Sequence, residues 1–404
     1  MSVNVSVMKT RVQDRNELKS LDQEQQIIRR SYQELVTYCK RNNFQGWDVF
    51  DGLNSKLLAD SPFYHSKLLR LAWIQFFKRS PVNFRRLVLV PKGFNAKGMG
   101  LFAMSFLAVG DISEAKVLLN RLREMQCKGY DGISWGYNFP WQARAFYVPL
   151  GKPTMVTTVF VANAFLDYYD ITGDVEALSI AEGCCKFILK NLVLFEREEK
   201  LCFGYIPGEA ARIHNANMLG AALMGRVYSY TGSSKLLEKS RKAMQYSLDG
   251  LNANFSWPYG ELHHHQFIDN FHTGFNLVAL KDWMDACEDY IWEDELKNAY
   301  KYFLETFWKE DGCPKYYHNA LYPIDIHCSA QGMVTCERLK SYDPRSMEMA
   351  YKIGKWAISN MQDRAGYFYY QKTRFFTNRI PYIRWSQAWM LYGLSRLLKN
   401  QHEN

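Results

Sequence analysis

A unit of about 55 residues repeats along the chain from residue 98 onward, and that repeat limits the possible folds more than any other feature. Each copy begins with a very apolar helix rich in small residues. A short turn, a more amphipathic helix and a loop carrying Gly and aromatics follow. The apolar segments are "KGMGLFAMSFLAV" (97–109), "TTVFVANAFLDYY" (157–169), "NANMLGAALMGRVYSY" (215–230), "FHTGFNLVALKDWM" (271–284), "DIHCSAQGMVTCERL" (325–339) and "YIRWSQAWMLYGLSRLL" (382–398). From Thr157 to Asn215, Phe271, Asp325 and Tyr382 the steps are 58, 56, 54 and 57 residues. Partner helices are predicted near 112–127, 176–194, 234–250, 292–308 and 345–362. The turns "YDITGD" and "SYTGSS" place Gly after one helix and Asp or Ser before the next, which are stop and start signals.

A helix that is apolar all round is buried on every side, whereas Leu236, Leu237, Met244 and Leu248 interleave with Lys and Glu as on a surface helix. Six buried helices inside six outer ones make an all-α (α/α)6 toroid, with an open solenoid as the alternative. The sixth outer helix must come from the N-terminal segment, at 21–42 or 63–79. The expected organisation is one domain over 1–404, in which 1–97 close the ring and 98–399 supply the hairpins.

The totals fit this picture. A hydrophobic share of 48% with 23% charge in 404 residues allows a large core. The nine Cys show no CxxC spacing, which favours a reducing compartment over a disulfide framework. The N-terminus has no apolar core of a signal peptide, and no run approaches 18 apolar residues. A cytoplasmic protein without a membrane span is expected. The net charge of +9 is dispersed and no nucleic-acid motif accompanies it, so no nucleic-acid partner is expected. The oligomeric state is not legible.

Each repeat ends in an aromatic stretch just before the next inner helix: "ISWGYNF", "CFGYIPG", "FSWPYGE", "CPKYYHN" and "GYFYYQK". In a toroid these loops surround one mouth, so Tyr137, Tyr205, Trp257, Tyr259, Tyr317 and Tyr370 either pack between repeats or stack on sugar faces. All six inner helices point their N-termini at that mouth, where free N–H groups and the helix dipoles favour an anion. Arg212, Arg374, Arg379 and Arg384 fall at the same end. An acidic carbohydrate or a nucleotide sugar is therefore the expected ligand.

The densest chemistry lies at the inner helix starts "GEAARIHNAN" (208–217), "IDNFHTGF" (268–275) and "YPIDIHCSAQG" (322–332). Asp269, Asn270, Asn215 and Asp325 suit N-caps. His272 and His327 do not, and an imidazole in a first helical turn meets a positive dipole end that keeps it neutral, as a general base must be. The catalytic candidates are His272, His327, Asp269, Asp325 and Glu209. The binding candidates are Arg212, His214, Asn215, Asn217, Tyr205, Trp257, Tyr259, Asn270, Tyr317, Arg384, Trp385 and Gln387. A hydrolase would use two of the carboxylates, and a lyase or epimerase a His base with Tyr, Asn or Arg beside it. If these groups cap separate helices and face protein, a non-catalytic glycan-binding or scaffold toroid is the alternative. His263, His264 and His265 precede the helix and are assigned to a surface loop. With no HExxH or regular ligand spacing, no metal and no other cofactor are expected.

The repeat pattern resembles the six-hairpin toroids of carbohydrate enzymes: inverting glycosidases, unsaturated uronyl hydrolases, polysaccharide lyases and N-acylglucosamine 2-epimerases. The segments "DVFDGLNS", "KRSPVNFR", "HNANMLGAAL", "WPYGE", "IDNFHTGF", "LYPIDIHCSAQ" and "RWSQAWM" resemble a widespread microbial family associated with surface-polysaccharide gene clusters, over nearly the whole chain. That resemblance implies fold and setting rather than a reaction. The DxDD and QxxxGxW motifs of terpene cyclases and the zinc motifs of lanthionine cyclases are absent.

Overall fold

A computed structural model describes residues 23–58, 61–143 and 146–399. The N-terminal stretch on which the signal-peptide expectation rests lies outside the described residues, as do residues 21 and 22 of the 21–42 helix segment. The helices are α1 (23–41), α2 (Lys67–Arg79), α3 (Ala96–Ala108), α4 (Ile112–Glu124), α5 (Met155–Thr172), α6 (Val175–Asn191), α7 (His214–Thr231), α8 (Ser234–Leu248), α9 (Asn270–Cys287), α10 (Glu293–Thr306), α11 (Ile326–Arg338), α12 (Ser346–Met361) and α13 (Trp389–Lys399). A π-helical turn, Ile383–Ala388, leads into α13.

Helices α3, α5, α7, α9, α11 and α13 pack each on the next, and α13 packs back on α3. The closed inner ring with its outer helices is an (α/α)6 toroid. Burial explains the division. In α5 every residue from Met155 to Ala162 is buried, whereas α8 buries only Ser240, Ala243, Met244, Ser247 and Leu248. Each large apolar side chain so buried stabilises the ring by roughly 1.5–3 kcal/mol. Gly332 lets α11 lie against Trp308, since a Cβ there would come 2.2 Å from the indole.

The sixth outer position is filled by α1. Ser31 donates to the side-chain amide oxygen of Gln362 (2.8 Å) just after α12, and Lys40 reaches Glu114 of α4 (2.5 Å). The other N-terminal helix, α2, lies over the mouth. The inner helices start at the mouth, where the loops join edge to edge. Single antiparallel bridges link Gly136 to Pro153, Ile213 to Gly260 and Asp269 to Tyr317. A three-stranded sheet joins β5 (Ile324–Asp325), β6 (Gln371–Lys372) and β7 (Thr377–Asn378). Here β1 to β4 are Trp141–Gln142, Tyr147–Val148, Val193–Arg197 and Lys200–Phe203.

The "WDVFDG" loop locks the ring shut. Asp48 takes a bidentate pair of bonds from Arg384 (both 2.7 Å), and Asp51 takes one from Arg85 (2.6 Å). The Arg85 guanidinium also donates to the Asp48 carbonyl oxygen (2.7 Å) and the Tyr382 hydroxyl (3.0 Å). All four charged side chains are buried. No described helix is long and apolar enough to cross a membrane.

Candidate functional site

The mouth holds a cavity of about 380 Å³. Its wall carries Tyr137, Tyr205, Tyr259, Tyr316 and Tyr317 from the repeat loops, Trp141 and Phe146 from the β1–β2 hairpin, and Phe50 and Lys78 from the N-terminal cover. His264, His265, His272, Phe271, Arg384 and Trp385 complete the basic and aromatic surface. No Asp or Glu lines it among the described residues.

His272 is held by its own helix cap. Asp269, the α9 N-cap, accepts the backbone N–H of His272 (3.1 Å). The same carboxylate meets Nδ1 of the His272 ring at 2.8 and 3.0 Å. An ionised carboxylate only accepts, so Nδ1 carries the proton and Nε2 is left as an acceptor. Asp269 is buried while His272 is partly open to the cavity, with its ring 4.6 Å from that of Tyr259. A buried carboxylate, an oriented imidazole and an open Nε2 are the parts that general-base chemistry requires.

The equivalent pair on α11 is built differently. Asp325 caps the helix through the His327 backbone N–H (3.0 Å), but its other bonds come from the Trp385 indole (2.9 Å) and the Gln371 amide (3.1 Å). Burial pushes its carboxyl up to about 6 despite these donors. The His327 side chain is sealed between Phe271, Trp385 and Trp389, each 4.6 Å away between ring centres. Neither of its ring nitrogens has a partner among the described residues. Burial, with Lys97, Arg384 and His272 nearby, drives its pKa well below the usual imidazole value, so the ring is neutral.

Lys97, in the first turn of α3, was not singled out from sequence. Its ammonium sits over Phe160 (4.2 Å), Trp389 (5.0 Å) and Phe275 (5.1 Å), a cation–π box beneath His327, and it forms no ion pair within 4 Å among the described salt bridges. Burial lowers its pKa well below the ordinary lysine value. The sequence signal was there, a Lys on a helix otherwise buried all round. Lys78, which lines the cavity from outside the repeats, carries no comparable signal; burial lowers its pKa too.

The remaining candidates scatter. Tyr205, Tyr259, Tyr317, Arg384 and Trp385 line the cavity. Tyr205 and Tyr137 face each other hydroxyl to hydroxyl at 3.2 Å, and burial raises the Tyr205 pKa, so it stays a donor. Glu209 and Arg212 are outside the cavity lining, and Arg212 pairs with Glu261 (2.9 Å). His214 sits behind the wall against Ser247 (3.4 Å). Asn217 bridges the Ala243 carbonyl (2.6 Å) and the Phe203 N–H (2.9 Å), Trp257 donates to the Ser247 carbonyl (2.9 Å), and Gln387 clasps the Phe368 backbone (2.8 Å both ways). The Asn217–Phe203 and Gln387–Phe368 bonds join neighbouring repeats, and the other two lie within one. Asn215 and Asn270 are not caps; they lie one step or more inside their helices, buried, with side-chain atoms lacking partners among the described residues.

Two expectations need correction. The four arginines do not converge: Arg374 and Arg379 are exposed, Arg212 is paired at the surface, and only Arg384 reaches the cavity, already matched by Asp48. The His triplet is not a surface loop. It forms a short 3-10 turn that leaves His263 outside and turns His264 and His265 into the wall. Burial beside His264 lowers the His265 pKa to about 4. Among the described residues no three His, Cys, Asp or Glu side chains group as metal ligands.

No protein-family model matches the chain, and no curated protein is significantly similar in sequence. Solved structures share the fold. A sugar epimerase from a ruminal bacterium superimposes with a TM-score of 0.59 at 13% identity, over 76% of this chain and 87% of that one. A GH76 α-mannanase from Bacteroides thetaiotaomicron gives 0.58 at 10% identity, over 86% and 99%. A D-mannose isomerase gives 0.56 at 13% identity, over 76% and 86%. At these identities the likeness is one of fold: the chain has the six-hairpin toroid that these sugar enzymes share.

Proposed function

We propose that the chain is a carbohydrate-active enzyme that moves a proton at carbon in a sugar, as an epimerase or isomerase does. The observation that carries this reading is the Asp269–His272 pair opening onto a cavity that no carboxylate lines among the described residues. Glycoside hydrolysis needs an acid and a base carboxylate facing the scissile bond. Here Asp269 is engaged by His272 and Asp325 by three donors. Proton abstraction needs one oriented base and donors for the oxygen that gains charge.

In an open-chain aldose, Nε2 of His272 takes the proton from C2. The C–H electrons form the C1–C2 double bond, and the carbonyl pair moves to O1. The Lys78 ammonium and the Tyr137–Tyr205 hydroxyls are the donors available to that oxygen. Rotation about C2–C3 presents the other face of C2 to His272, and return of the proton there gives the epimer; transfer of the O2 proton to O1, followed by return of the carbon proton to C1, gives the ketose. The aromatic wall supplies the stacking surface for the ring. With Lys78 in the lining and no acid among the described residues there, a sugar bearing a carboxylate or another anionic group is favoured, and surface-polysaccharide metabolism is the proposed setting on the strength of the family resemblance. The fold neighbours are consistent, since their names are those of sugar epimerases and isomerases as well as mannanases.

The test follows epimers and ketoses, new reducing ends and 4,5-unsaturated products together, over a panel of aldoses, amino sugars and uronates. Epimer or ketose formation supports the proposal; reducing ends or unsaturated products without it refute it. A glycan-binding toroid without turnover draws on one observation, the sealing of His327 behind Phe271 and Trp385. Ligand binding with no product from any sugar would favour that reading.

A further inference from the structure

The toroid has a second cavity at its opposite end, about 540 Å³ in volume, where the inner helices finish. Its floor is Phe160, Phe275 and Trp389, the rings that carry Lys97 on their other side. The front cavity ends on Phe271, His272 and Trp385, so an aromatic layer separates the two. The volume is that of a small-molecule site.

The walls decide the kind of ligand. Every charge on them is already matched. Arg226 holds Asp167 and Asp170 (both 2.7 Å), Arg338 holds Asp282, and Arg396 holds Glu337 (2.5 Å), while Asp285 is taken by Lys281. A free anion would find no vacant cation and would sit at the negative ends of six helix dipoles. A cation would find no vacant carboxylate. The paired, planar carboxylates and guanidiniums keep spare acceptor and donor positions that suit adjacent hydroxyls. Trp389 is wholly buried in the floor, and its indole N–H has no acceptor among the described residues. An aromatic floor and fixed polar walls together suit one class of molecule.

We propose that this rear cavity is a second binding site, taking a neutral hydroxyl-rich ligand of the size of a mono- or disaccharide. It is separate from the catalytic reading of the front mouth and does not depend on it.

The test uses the full chain with His264→Trp, which places an indole in the front cavity, titrated calorimetrically with D-mannose, cellobiose, glucuronate and inorganic phosphate; binding is assigned to the rear cavity only where filling the rear removes it. The expected result is binding of a neutral sugar and none of either anion. Filling the rear with Ala222→Phe, or with Ala108→Phe at its half-buried edge, should weaken that binding at least tenfold, with the melting temperature confirming that each variant is folded. The proposal is overturned if no neutral sugar binds the front-filled protein, if an anion binds there instead, or if both folded rear-filled variants bind as well as their parent. Sugar turnover by the unmodified protein is read separately, so failure of the rear site and failure of the front reading give different results.

Discussion

Replacing Asp269 by Asn separates the two tasks of that side chain. Its carboxylate caps α9 through the His272 backbone N–H at 3.1 Å and fixes the ring through Nδ1 at 2.8 Å. The amide oxygen can keep the cap, and the amide NH2 then faces Nδ1. Two donors cannot share that contact, so Nδ1 becomes the acceptor and the proton moves to Nε2, the atom that must act as base. Turning the amide round restores the tautomer but sets NH2 against the backbone N–H, loses the cap at about 1 kcal/mol, and leaves no negative charge to stabilise the imidazolium that forms when Nε2 takes the proton. Either way the variant folds. General-base catalysis contributes about 10²–10⁴-fold, and the same carboxylate-to-amide change in a Ser-His-Asp triad costs about 10⁴, so turnover should fall by about 10²–10⁴-fold, or roughly 2.7–5.4 kcal/mol. The assay is the rate of epimer or ketose formation on the best sugar of the panel, with thermal melting alongside. An Asp269→Asn protein that turns over at the wild-type rate would refute the tautomer argument.

Other consequences concern stability. Asp325 has a folded-state pKa of about 6, above its unfolded value near 3.9, so the folded state holds the proton more tightly. This favours folding below about pH 4 and is lost as pH rises through 6, a change on the order of 3 kcal/mol. Asp325→Asn should therefore gain on wild type from pH 4 to 7 in urea titrations; a pH-independent difference would contradict the burial argument. Asp48→Ala strands Arg384 in the closed ring and should cost about 3–5 kcal/mol by denaturant unfolding; a loss under 1 kcal/mol would show that the "WDVFDG" lock does not hold the ring. Lys97→Met removes a buried ammonium at similar volume. Because the lysine's folded pKa is depressed, the unfolded chain binds the extra proton and wild-type stability rises with pH. The variant should melt higher at pH 7, with the gain shrinking towards pH 10; an unchanged or lower melting point would argue that Lys97 has a counter-charge.

The ring was readable because burial leaves a simple trace. A helix buried on all sides has no polar stripe, and its recurrence six times admits few folds besides a toroid. The caps Asp269 and Asp325 were readable for the same local reason, that an Asp before an apolar run satisfies free N–H groups. The site was less readable because what separates His272 from His327 is long-range. Both follow a capping Asp, yet Trp385, 60 residues beyond Asp325, takes the carboxylate that could have oriented His327. Spacing also cannot show that Arg212 finds Glu261 at the surface while Arg384 turns inward to Asp48. Lys78 enters the cavity from a helix outside the repeat, where no periodicity points to it.

The central claim is that His272 exchanges a sugar C–H proton with solvent. In D2O, proton NMR of the responsive sugar should show loss of the C2 signal with the wild-type protein and none with His272→Gln at matched folded concentration. Exchange at an undiminished rate in His272→Gln, or no exchange with any sugar while reducing ends accumulate, would contradict it.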